Sequence, residues 1–115
     1  MNTTDSITRT AVLEKTLLRI NNREVIPLPN GNIQVFLHGK PILTIRGADD
    51  TVDINGTAMM TKKSSRLINS ILSLFTDYKV TTRNGNWFLI SPTRVFTPFS
   101  GKTITVDMTN NPYGA

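Results

Sequence analysis

The chain has no cysteine, a single histidine, a single tryptophan and only eight acidic residues. Without cysteine there is no disulfide framework, no thiolate zinc site and no cysteine nucleophile. His38 stands alone among the residue types that titrate near neutrality, and no serine occupies a nucleophile-elbow context beside it. A turn or hydrogen-bonding role is therefore expected of His38, ahead of general-base catalysis. A glycine-rich phosphate loop is also missing, since Gly39, Gly47 and Gly56 stand singly at turns. Asp49, Asp50 and Asp53 offer oxygen ligands close together in sequence, but the EF-hand spacing and its closing glutamate are absent. Turn and strand-edge roles are expected of them. These absences argue against an enzyme, and neither cofactor nor metal is expected. No apolar run approaches the roughly 18 to 20 residues that span a bilayer, and Met1-Asn2-Thr3-Thr4-Asp5 does not read as a signal peptide. The expectation is a soluble protein without a membrane partner, in which the sequons Asn2-Thr3-Thr4 and Asn55-Gly56-Thr57 are chance matches.

What is present suits one globular domain spanning residues 1–115, with 1–6 and 108–115 expected to be flexible. Hydrophobic residues make up 38% and charged residues 18%, lean but sufficient for a single core. The charge is placed unevenly. Residues 1–60 carry six Lys or Arg against six Asp or Glu, whereas 61–115 carry seven against Asp77 and Asp107 alone. The whole net charge of +5 thus lies in the second half, a distribution that points towards a polyanionic partner such as DNA or RNA.

Residues 61–76 read as the main amphipathic helix. At about 100° per residue, Leu67, Ile68, Ile71, Leu72, Leu74 and Phe75 fall within an arc of roughly 160°, and Lys62, Lys63, Arg66, Asn69, Ser70 and Ser73 fill the opposite side. Thr61 is the expected N-cap. The first turn and a half then carries three cations where the helix dipole favours acidic residues by about 0.3 to 1 kcal/mol each. Either this is a merely solvated basic face or an anion docks there.

Elsewhere, Leu13, Leu17 and Ile20 suggest a smaller N-terminal helix from about 6 to 20, which Asn21-Asn22 breaks. Val25 to Gly31 reads as an extended segment entering a turn. Residues 33–37 and 41–46 alternate as a hairpin turning at Gly39-Lys40, and 51–54 form a third strand. Asn84-Gly85 is the strongest hairpin signal, flanked by 78–83 and 86–90. A two-residue loop there sets Arg83 opposite Asn86, Thr82 opposite Trp87 and Val80 opposite Leu89. Tyr78, Val80, Trp87 and Leu89 then share the core face, and Lys79, Thr81, Arg83, Phe88 and Ile90 the other. That second face is either a binding platform or a surface covered by another element such as the N-terminal helix. Pro98 confines 94–98 to an edge, and 103–107 is a last strand. Met59-Met60 is expected to fill core space. The fold class is α+β, an antiparallel sheet of five to seven short strands with helix 61–76 packed on one face.

Three stretches resemble a group of small phage-encoded proteins of uncharacterised function. They are Phe36-Leu37-His38-Gly39-Lys40-Pro41-Ile42-Leu43, then Thr61-x-x-Ser64-x-Arg66-Leu67-x-Asn69-x-Ile71-Leu72, and Asn84-Gly85-Asn86-Trp87-Phe88-Leu89. The shared pattern is a Leu-His-Gly hairpin, a Thr-rich entry, an Arg-Leu-Asn helix and a Gly-x-Trp hairpin, spanning about residues 33 to 90. This chain departs from it by placing Ile68 between Leu67 and Asn69. The resemblance implies a small α+β domain from a phage genome, acting in the cytoplasm of the host cell, and carries no activity with it.

The functional expectation is sequence-independent, salt-sensitive binding of nucleic acid. Lys62, Lys63 and Arg66 would contact phosphates, aided by Lys79, Arg83 and Arg94, with Phe88 stacking on bases. Two alternatives of a different class remain open: a small inhibitor or modulator of a host or defence enzyme, and a virion component or homo-oligomer.

Overall fold

In the computed structural model, which describes residues 3–58 and 61–113, two α-helices and nine strands are arranged around one hydrophobic cluster, to which every strand but the edge segment 96–98 contributes. In order they are α1 (Thr3–Glu14), β1 (Leu18–Ile20), β2 (Arg23–Pro27), β3 (Ile33–Leu37), β4 (Lys40–Arg46), β5 (Thr51–Asn55), α2 (Lys62–Leu72), β6 (Lys79–Arg83), β7 (Asn86–Ile90), β8 (Phe96–Pro98) and β9 (Thr103–Asp107). The α+β class is as expected, but the strands divide into two antiparallel sheets. One has the order β1-β2-β3-β4-β5-β9 and the other β6-β7-β8. The division arises because α2 interrupts the meander after β5, and β9 returns past the second sheet to pair with β5.

The six-stranded sheet shows the alternation of a half-buried surface. Val25, Val35, Leu43, Ile54 and Ile104 line up across it, as do Ile33, Ile45, Val52 and Val106, all facing the core. The opposite face carries Gln34, Thr44, Asp53 and Thr105 in register. There Asp53 accepts from Arg46 Nε at 2.8 Å and Thr105 Oγ1 at 2.6 Å, and that hydrogen bond together with the carboxylate charge raises the Arg46 pKa.

Three of the hairpins close on two residues that both have positive φ, as a type I′ turn requires. They are Asn21-Asn22 (46° and 65°), His38-Gly39 (52° and 75°) and Asn84-Gly85 (52° and 77°). Asn21-Asn22 is therefore a hairpin turn rather than the end of a helix. The β3–β4 turn is centred one residue earlier than expected, on His38-Gly39 instead of Gly39-Lys40. The Asn84-Gly85 hairpin has the expected register, with Val80, Thr82 and Arg83 opposite Leu89, Trp87 and Asn86.

Both helices differ from the sequence expectation at their ends. Helix α1 begins at Thr3, so residues 3–6 are helical, and Asp5 is buried where its carboxylate meets Arg23 at 3.1 Å. It stops at Glu14 in a Schellman closure, with Lys15 N–H donating to Val12 O and Thr16 N–H to Ala11 O around a left-handed Lys15. A lysine at that position gave no stop signal. The buried face is Asp5, Thr8, Ala11 and Val12, while Leu13 and Leu17 are exposed. The Asp5–Arg23 pair and a bond from Arg9 Nε to Ser70 O, 3.1 Å, set this rotation. With twelve residues α1 is not smaller than α2, which has eleven.

Helix α2 ends at Leu72 instead of Thr76, and Leu74 and Phe75 continue in tight turns bonded to Ile71 O and Leu72 O. Phe75 is still fully buried. Burying Leu67, Ile68, Ile71 and Leu72 contributes about 6 to 12 kcal/mol gross, at about 1.5 to 3 per side chain. That far exceeds the cost of the cations in the first turns, so α2 forms despite them.

Residues 108–113 are a strap rather than a loose tail. Thr109 and Asn110 N–H both donate to Phe75 O, and Asn111 Nδ2 donates to Gly47 O and Asp50 Oδ1. Tyr113 packs on Phe75 with ring centroids 5.8 Å apart, lies under Lys15 Nζ at 4.5 Å, and donates its hydroxyl to Val12 O. Polar side chains anchor this segment, which is why hydrophobic patterning missed it. Met59-Met60 lies outside the described residues. No helix among the described residues is long and apolar enough to cross a membrane.

Candidate functional site

Thr61 adopts extended dihedrals and its hydroxyl accepts from Ser64 N–H at 3.0 Å, which fixes where α2 starts. Ser64 faces inward at that end, so Lys62, Lys63 and Arg66 are turned to solvent. No acidic residue occupies the first turn. Lys63 and Arg66 share one wall of a cleft of about 360 Å³, closed on the other sides by Arg23, His38 and the Asn21-Asn22 turn. Three elements far apart in sequence thus converge there. Arg23 is already paired with Asp5, so the cleft's unneutralised charge comes from the two α2 residues. Lys62 is exposed beside them and lines neither this cleft nor the one described next.

The remaining expected site residues lie on the second sheet. Asn69 ties that sheet to α2: its Nδ2 donates to Val80 O at 2.9 Å and its Oδ1 accepts from Val80 N–H at 2.8 Å. The side-chain amide thereby takes the place of a neighbouring strand along β6. Trp87 is fully buried, donating from Nε1 to Ala58 O at 3.3 Å and stacking on Phe99 with centroids 5.9 Å apart. The inward face is thus Val80, Trp87 and Leu89, as the alternation requires.

The outward face bears rows of cross-strand neighbours, Lys79–Ile90–Phe96 and then Thr81–Phe88–Pro98, followed by Arg83–Asn86. Helix α1 does not cover it; α1 packs against α2, β1 and β2. The Phe88 and Phe96 rings meet edge to face at 6.5 Å, and the Arg83 guanidinium lies 4.9 Å from the Phe96 centroid. Beside this row a cleft of about 460 Å³ opens between α2 and the sheet, lined by Asp77, Tyr78, Lys79, Ile90, Arg94 and Phe96 among others. Arg94 reaches it from a left-handed turn position, φ 64°.

The seven expected site residues therefore form two groups: Lys62, Lys63 and Arg66 at the start of α2, and Lys79, Arg83, Phe88 and Arg94 around the second sheet. His38 has the turn role expected of it, but as the first residue of a turn that falls one position earlier than expected, and its place beside Lys63 and Arg66 was not legible in sequence. Phe96 was missed as a partner of Phe88. Laying 94–98 antiparallel beside 86–90, as the edge-marking Pro98 invites, would have found it. Asp50 and Asp53 serve the turn and sheet bonds described above, and the described residues hold no cluster of three or more His, Cys, Asp or Glu fit for a metal.

Comparison with protein-family models, with curated proteins and with solved structures finds no match to this chain.

Proposed function

We propose that this chain is a non-enzymatic accessory protein of phage type that binds nucleic acid, mostly without regard to sequence, through the basic start of α2 and the adjoining second sheet. The observation that carries this reading is where the ion pairs fall. Among the described residues the three salt bridges are Arg19–Glu24, Arg23–Asp5 and Arg46–Asp53, all within residues 3–58. None engages Lys62, Lys63, Arg66, Lys79, Arg83, Arg94 or Lys102. Arginines of the first half are used to hold the fold together, while the second half leaves its positive charge available to a partner. A helix start that combines free backbone N–H groups with uncompensated cations favours a phosphate.

The test is retention on heparin, followed by titration of a labelled DNA and RNA at several salt concentrations. Changing Lys62, Lys63 and Arg66 together to glutamine removes three phosphate contacts. The slope of log K against log salt should become shallower by about 2 to 3. An unchanged slope and affinity would exclude the helix start as the site.

A second reading is favoured by a different observation. Ile7, Leu13 and Leu17 are 38%, 43% and 54% exposed along and just beyond α1, large apolar side chains open to a protein partner, whether a host enzyme or another copy of the chain. On that reading a stoichiometric partner is recovered at high salt, or light scattering gives a defined multimer.

A further inference from the structure

We infer that the outward face of the second sheet is a stacking platform for the unpaired bases of a single-stranded polynucleotide. This rests on the nucleic-acid reading and states which form of nucleic acid the site selects. Phe88 and Phe96, brought side by side by β7 and β8, present two rings at 6.5 Å, the latter 40% exposed. Bases in a duplex are stacked on one another and offer no face to such rings, whereas a single strand offers every base. The Arg83 guanidinium lies over the Phe96 ring and offers its own plane there. Guanidinium planes also accept bases.

The charges are arranged to match. Lys79 stands in the Phe96 row, Arg83 leaves the backbone beyond the Phe88 row but lays its guanidinium over Phe96, and Arg94 lines the adjoining cleft with Phe96. The three cations therefore gather on the Phe96 side of the ring pair, where a backbone passing along that edge would carry its phosphates. No acidic residue occupies an outward strand position in β6, β7 or β8, although Asp77 lines the adjoining cleft. A protein partner recognised through apolar contact alone would give no reason for three cations beside two aromatic rings.

The experiment measures anisotropy of labelled dT20, rU20 and a 20-base-pair duplex at low salt, with wild type, Phe88→Leu, Phe96→Leu and the triple glutamine variant. Leucine keeps apolar bulk while removing the ring, and far-UV circular dichroism with Trp87 emission verifies the fold. Single strands of at least one kind should bind at least about tenfold more tightly than duplex. Each leucine variant should lose about fivefold or more on single strands, the low end of the stacking contribution per base, and leave duplex binding unchanged. Duplex binding equal to single-strand binding, or indifference to both leucine changes, would overturn the platform while leaving the nucleic-acid reading intact. Failure of all three polymers to bind would overturn both.

Discussion

Replacing Asn69 by alanine isolates the contact that joins α2 to the second sheet. The Val80 N–H and C=O lie on the side of β6 away from β7, and both are satisfied by the Asn69 amide, at 2.8 and 2.9 Å. Val80 is 2% exposed, so removing the amide strands one donor and one acceptor in a shielded place. An unsatisfied buried group costs about 1 to 3 kcal/mol. Asn69 itself is half-buried, which admits some water, and the low end applies to each group, giving about 2 kcal/mol for Asn69→Ala. With a urea m-value of about 1 to 2 kcal/mol/M for a chain of this size, the midpoint should fall by roughly 1 to 2 M. Trp87 is the only tryptophan and is fully buried on β7, so its emission reports this transition directly. Asn69→Asp should be no milder at pH 7, because the carboxylate keeps the acceptor but turns an anionic oxygen towards the Val80 carbonyl. A midpoint for Asn69→Ala within 0.3 M (about 0.3 to 0.6 kcal/mol) of wild type would refute the assignment of Asn69 as a surrogate strand.

Two further perturbations follow from backbone approach and burial. A Cβ on Gly56 would sit 2.1 Å from Phe99 O and 2.5 Å from Lys102 O, both main-chain atoms that cannot swing aside. Gly56→Ala should therefore lose more than about 3 kcal/mol, seen as a fall in Tm of more than about 10 °C or failure to fold; a Tm within 2 °C of wild type would contradict the close approach. Burial pushes the Tyr113 phenol up to about 12, which means the folded chain favours its neutral form. Its contribution to stability is complete below pH 10, the unfolded value, and is lost as pH rises towards 12. Absorbance titration at 295 nm should show one of the two tyrosines titrating near 12, and Tyr113→Phe should remove that step together with its share of the stability lost above pH 10.

The proposed site draws its character from a division of labour among cations. Arg23 and Arg46 are fixed by carboxylates inside the fold or on the polar face of the large sheet. Lys63 and Arg66 meet His38 and the Asn21-Asn22 turn across a cleft without such neutralisation, and Lys79, Arg83 and Arg94 gather on the Phe96 side of an aromatic pair. The heparin and oligonucleotide experiments separate these two groups, because glutamine substitutions on α2 act through salt dependence and leucine substitutions on β7 and β8 through strand preference.

Local rules settled much of this molecule. Type I′ turns depend on the residues that tolerate positive φ, so Asn84-Gly85 and its register were legible directly, as was the inward Trp87 that follows from alternation. The amphipathic arc of α2, its Thr61 cap and the uneven charge are likewise properties of neighbouring residues. Tertiary packing decided the rest. Which face of α1 is buried depended on Asp5 finding Arg23 eighteen residues away and Arg9 finding Ser70, and periodicity of Leu13 and Leu17 pointed elsewhere. The strap of residues 108–113, the union of β9 with β5, the clash that reserves Gly56 for glycine, and the meeting of Phe96 with Phe88 all join distant positions. Dihedral preference and periodicity act over a few residues and are written in the chain. Ion pairs, side-chain amides that replace strands and shared clefts exist only once the chain has closed on itself.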